Sequence, residues 1–131
     1  MLKRLSLFLL ISVITITACK KETLSGKMNG TWELRAEYGG WIGTIQYPAG
    51  NGQTWVFNGS GYQRKDNGLV LESGSFILVK DTMRLTGRIS DRLILNDNYG
   101  GLPVFVILNN DRLSFSIDAV DAGGSEYQKI Q

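Results

Sequence analysis

The chain has 131 residues, with 14 Lys and Arg against 12 Asp and Glu, one cysteine and no histidine. A lone cysteine excludes an internal disulfide, and the absence of histidine removes the usual Cys/His zinc sites and His-assisted nucleophiles. Charges of both signs are scattered without a basic stripe, so the electrostatic footprint of nucleic-acid binding is missing.

In chain order, Lys3 and Arg4 make a short basic start. Leu5 through Ile16 follow as an uncharged run, broken only by Ser6, Ser12 and Thr15. That run falls short of the roughly 20 apolar residues a bilayer-crossing helix needs. It ends in Ile16-Thr17-Ala18-Cys19, after which the chain turns polar at Lys20-Lys21-Glu22. An apolar region closing on a branched residue, small residues and Cys resembles the lipobox of bacterial lipoproteins. The resemblance implies a diacylglyceryl group on the Cys19 sulfur and cleavage just before it, with enough acyl chains for stable membrane attachment. An ordinary secretory leader with an incidental cysteine, or an uncleaved anchor helix, is the alternative. Lys20 directly after the cysteine favours, by analogy with sorting rules, the outer membrane of a bacterial envelope. Loss of Lys3 and Arg4 with the leader would leave equal numbers of basic and acidic residues.

These features divide the chain into a leader (1–18), a lipidated cysteine with a polar tether (19–29) and one domain (30–131). At about 3.3 Å per extended residue, the tether would reach roughly 30 Å.

Period-two alternation dominates the domain, and no long stretch carries a helical period. Thr31–Tyr38 sets Trp32, Leu34, Ala36 and Tyr38 on one face and Glu33, Arg35 and Glu37 on the other, outer face. Gln53–Asn58 and Tyr62–Lys65 flank a hairpin signal, Asn58-Gly59-Ser60-Gly61. Leu69–Val79 is a longer strand whose Gly74 marks a bulge or bend. Met83–Ile89, Arg92–Asn96, Val104–Leu108, Leu113–Ile117 and Ser125–Ile130 follow, separated by turn residues. Val104–Leu108 is apolar on both faces, so its outer side should be covered. Short strands at regular spacing predict an all-β fold, a small antiparallel meander barrel of eight to ten strands. Closing a fully antiparallel ring takes an even number, which either Trp41–Gln46 as a tenth strand or an irregular terminal strand would satisfy.

The strand opening Gly30-Thr31-Trp32, the long loop after it, and the closing Tyr127-Gln128-Lys129 strand resemble the lipocalin-like domains of small bacterial lipoproteins. That resemblance covers about residues 29–131. It implies that Trp32 lies at the closed end of the barrel with a late basic side chain across its ring. Lys129 is the candidate and Arg112 the competitor. The chain is shorter than typical lipocalins and lacks their helix before the last strand.

Catalysis is not expected. Glu33 and Glu37 belong to an outer face, while Asp66, Asp81, Asp91, Asp97 and Asp111 sit at turns, where carboxylates serve the backbone. No cofactor or metal is expected, and the Asp118/Asp121 loop matches no calcium-loop spacing. Contacts to a ligand or partner fall on Trp41 and Tyr47, within Gly39–Gly52, and on Arg64. The aromatic pair either overlooks an open mouth, as the lipocalin resemblance implies, or plugs the barrel end, the reading favoured because exposed aromatic patches are rare without a use. Arg64 either points inward to meet a carboxylate or ends its strand in solvent near Asp66, the cheaper arrangement. Two functions follow. The first is an envelope lipoprotein holding a small apolar molecule. The second is a solid-core interaction module, such as an assembly subunit or hydrolase inhibitor.

Overall fold

The computed structural model describes residues 19–131. The leader and the cleavage point lie outside them, and Cys19 is exposed and in no disulfide.

A short helix, α1 (Leu24–Lys27), is followed by nine strands: β1 (Gly30–Gly39), β2 (Gly43–Gln46), β3 (Gln53–Asn58), β4 (Gly61–Asp66), β5 (Leu69–Thr82), β6 (Ile89–Leu95), β7 (Val104–Asn109), β8 (Arg112–Ile117) and β9 (Gly124–Lys129). From β3 to β9 each strand pairs antiparallel with the next. β1 closes the ring by pairing with β3 through Gly30–Glu33 and with β9 through Trp32–Tyr38. Eight strands therefore make the barrel. β2 is the extra one, pairing with Ala36–Gly39 of β1 beyond the stretch that β3 occupies.

Three sequence expectations need correction. Met83–Ile89 is not a strand. β5 runs on to Thr82, and the chain reverses there in a turn where Gly87 takes φ +69°. The Asp118 carboxylate accepts the backbone N–H groups of Arg84 (2.6 Å) and Leu85 (3.2 Å), donors that a strand would have spent on a neighbour. Trp41–Gln46 is a strand only from Gly43, because Gly40–Ile42 form a 3₁₀ turn. The irregularity of β5 lies opposite Arg64/Lys65 rather than at Gly74. Gly74 is instead a point of close approach, where any Cβ would collide with the Asn96 side-chain amide.

The tether is also shorter than the polar composition suggested. Thr23 caps α1, Leu24 packs on the core and Met28 is fully buried. Residues 24–28 thus belong to the domain and close one end of the barrel. Inward side chains fill the barrel above them: Trp32, Trp55, Phe57, Tyr62, Phe76, Leu93, Val106, Leu113 and Phe115. Phe57 meets Phe76 edge-on at 5.0 Å and stacks on Trp55 at 5.6 Å, the spacings at which aromatic pairs attract. On the outer side of β7, Phe105 is fully buried while Ile107 is exposed, so the expected cover reaches only part of that face.

Candidate functional site

The end opposite α1 is open. Trp55, Phe115 and Tyr127 form its floor, with Phe115 5.3 Å from Trp55 and 5.5 Å from Tyr127. Trp55 Nε1 donates to the Tyr127 hydroxyl at 3.2 Å, which fixes both rings. Above the floor lies a cup of about 640 Å³, walled by Val104, Ile117 and Ser125 and by the tip of the β1–β2 hairpin. A side lobe of about 230 Å³ continues between β1, β3 and β4 past Leu34 and Leu71. Glu37, Trp55, Arg64 and Tyr127 line both spaces, so they stand at the junction.

Glu37 reaches this position through a bulge. The β1–β9 register slips between Leu34 and Ala36, which brings Glu37 opposite Ser125 on the side of Tyr127 and Phe115. Simple alternation placed it outside, and nothing in the sequence at Arg35 announces the slip. Its Oε2 accepts a hydrogen bond from the Tyr47 hydroxyl at 2.5 Å. That bond to a carboxylate, with some burial, raises the Tyr47 pKa above the usual phenol value.

The candidates from the sequence come together only in part. Trp41 is 98% exposed and Ile42 77%, at the hairpin tip, so Trp41 does not plug the barrel. The tip leans on the β8–β9 loop at glycines, where Gly39 and Gly123 approach so closely that a Cβ on Gly39 would lie 2.8 Å from the Gly123 Cα. Trp41 borders the cup from this tip, with its ring almost wholly in solvent. Tyr47 is half-buried beside Glu37, with its N–H on the Arg35 carbonyl at 2.8 Å. Arg64 is neither buried nor paired with Asp66. Its Cζ sits 5.8 Å from the Trp55 ring centroid and its Nη2 lies 3.7 Å from Glu72, with the side chain 48% exposed. Trp32 and Lys129 meet at the far end, the Lys129 Nζ 5.4 Å from the ring centroid, while Arg112 pairs with Glu126 instead.

Glu33 also departs from its expected role. It projects from the outer side of β1 but is buried, because the segment from Tyr47 to Gly52 folds over it. Its carboxylate accepts the N–H of Gly50 at 2.8 Å and of Gly52 at 3.2 Å, and pairs with Arg35 at 2.5 Å. Burial pushes its pKa up, but these donors together outweigh it and hold the carboxyl below its ordinary value.

Among the described residues, no group of three or more His, Cys, Asp or Glu is placed to hold a metal ion, and no helix is long and apolar enough to cross a membrane. No protein-family model, no curated protein and no solved structure matches this chain.

Proposed function

We propose that the protein is an envelope lipoprotein, held by lipid on Cys19, whose barrel mouth binds a small, largely apolar molecule. The observation that carries the binding reading is the contrast along the barrel axis. The interior is filled with aromatic and aliphatic side chains, yet the mouth opens into a cup of about 640 Å³ over three aromatic rings. That size lies within the range of small-molecule sites, which combine apolar walls with a few placed polar groups. The ligand would lie on Trp55 and Phe115 under the hairpin rather than deep in the barrel. A lipocalin-like kinship is consistent with the meander of eight strands and with Lys129 across the Trp32 ring.

Native mass spectrometry after incubation with an envelope extract tests the reading. A stoichiometric adduct on the wild type, lost on Trp55→Ala and Phe115→Ala, is expected. Absence of any adduct over a range of extracts removes it. The anchor has its own test: the mature protein from the membrane fraction should carry an acylated glyceryl thioether on Cys19, and an unmodified thiol there removes the proposed address.

A second reading rests on Trp41 and Ile42, an apolar hairpin tip left in solvent. Such tips serve protein interfaces, where a Trp anchor carries much of the energy. A protein partner retained by the wild type and lost on Trp41→Ala would establish it.

A further inference from the structure

Within the mouth, two charged groups are left without a full complement of partners. The Glu37 carboxylate accepts one hydrogen bond, from Tyr47, and has no cation within ion-pair distance among the described residues. The Arg64 guanidinium makes no hydrogen bond to the protein there. Its one ionic neighbour, Glu72, stands at 3.7 Å, beyond hydrogen-bonding reach, and gives its other oxygen to the Tyr62 hydroxyl at 2.6 Å. Both groups line the cup and its side lobe, yet they do not pair with each other. Trp55 and Tyr127 line the same two spaces with them.

We propose that the cup selects a zwitterion, an ammonium and a carboxylate on one apolar body, in the manner of an amino acid with an aromatic or aliphatic side group. This rests on the reading of the mouth as a ligand site. The fork of Arg64 suits a carboxylate through two parallel hydrogen bonds, and the free oxygen of Glu37 suits an ammonium. A ligand of one sign gains from one of these groups and is repelled by the other, whereas a zwitterion satisfies both. The remaining charges at the rim are Lys65 and Asp66 beside the side lobe and Asp121 beside the cup, of opposing signs. The apolar body has the aromatic floor to cover.

Three compounds sharing one ring separate the possibilities: L-phenylalanine, 3-phenylpropionate and phenethylamine, each titrated into the full mature chain at low salt. The readout is the indole N–H resonance of Trp55, which sits in the floor. Phenylalanine is expected to bind at least tenfold more tightly than either single-charge analogue. Arg64→Gln should bring phenylalanine to the level of phenethylamine, and Glu37→Gln to that of 3-phenylpropionate. Both side chains are exposed enough that the fold should persist, which the unchanged remainder of the spectrum checks. If all three compounds bind alike, or if either analogue matches phenylalanine, zwitterion selection is wrong while the cup remains a binding site. If none moves the Trp55 resonance, this inference falls, and the cup reading is then decided by the adduct experiment alone.

Discussion

Trp32 carries three constraints at once. Its ring is fully buried, its Nε1 donates to the Met28 carbonyl at 2.7 Å, and the Lys129 ammonium sits over its face. Lys129→Met keeps the stem and removes the charge. At a position as exposed as Lys129 this should cost about 0.5–1 kcal/mol in urea unfolding. Trp32→Phe leaves the buried Met28 carbonyl short of its donor and should cost about 1–3 kcal/mol from that alone. Because Phe keeps a ring face, the cycle that isolates the cation pairs Lys129→Met with Trp32→Leu, and strict additivity there would show that ring and cation are not coupled. Lys129 was legible in the sequence because it follows Tyr127 at period two in a closing strand. Glu33 was not: alternation gave its side of the strand but not the loop folded over it. Since its folded pKa is depressed, its contribution is complete above the unfolded value, about 4.5. That contribution is lost as pH falls through the lower, folded value. Glu33→Gln should therefore flatten the acid limb of the stability curve, and a limb that keeps its slope would show that Glu33 is not its source.

At the scale of elements, what the alternation pattern revealed and what it missed have different physical causes. Most strands were visible because inward apolar and outward polar positions alternate wherever one face is buried. Met83–Ile89 satisfied the same pattern by accident, since Met83, Leu85 and Ile89 alternate without sharing a sheet face. What decides that segment is a distant carboxylate, Asp118, which no local reading can find. Asp118→Ala should leave the Arg84 and Leu85 N–H groups without their acceptor, at a cost of about 1–3 kcal/mol. Hydrogen exchange should quicken in the 83–88 turn before it does in β8, whereas uniform quickening would mean that Asp118 supports the whole barrel. Gly74 was visible as a special position but for the wrong reason. Asn96 donates to the Tyr62 hydroxyl at 3.1 Å and accepts from the Ser75 N–H at 3.0 Å, and it occupies the space where a Cβ would go. Gly74→Ala must displace that amide, and a loss of about 1–3 kcal/mol is expected. A neutral result would show that Asn96 gives way freely. The bulge in β1 was the most consequential omission, because a one-residue slip exchanges the faces of a strand and moved Glu37 into the mouth.

For the whole molecule, closure of the ring removes sheet edges everywhere except along β2, and the two barrel ends divide the work. One end is sealed by residues whose composition reads as linker. Thr23 accepts the Gly26 N–H, Leu24 reaches the core and Met28 is buried against Trp32, so a segment beginning only four residues after Cys19 is already structural. Membrane attachment at Cys19 would then hold the sealed end near the lipid and leave the cup facing away, since the remaining tether spans only about 15 Å at full extension. A chain shortened to begin at Asn29 tests this arrangement. It keeps all nine strands but strips Leu24 and Met28 from the core and takes the acceptor from Trp32 Nε1. Burial of side chains of this size is worth about 1.5–3 kcal/mol each, so the loss should approach a large share of a small domain's stability. The shortened chain should therefore unfold at markedly lower urea, with Trp32 fluorescence shifting toward that of a hydrated indole even before the transition. Should it match the chain beginning at Cys19 in midpoint and spectrum, residues 19–28 would be a tether after all, and the barrel would have to be closed by its own strands alone.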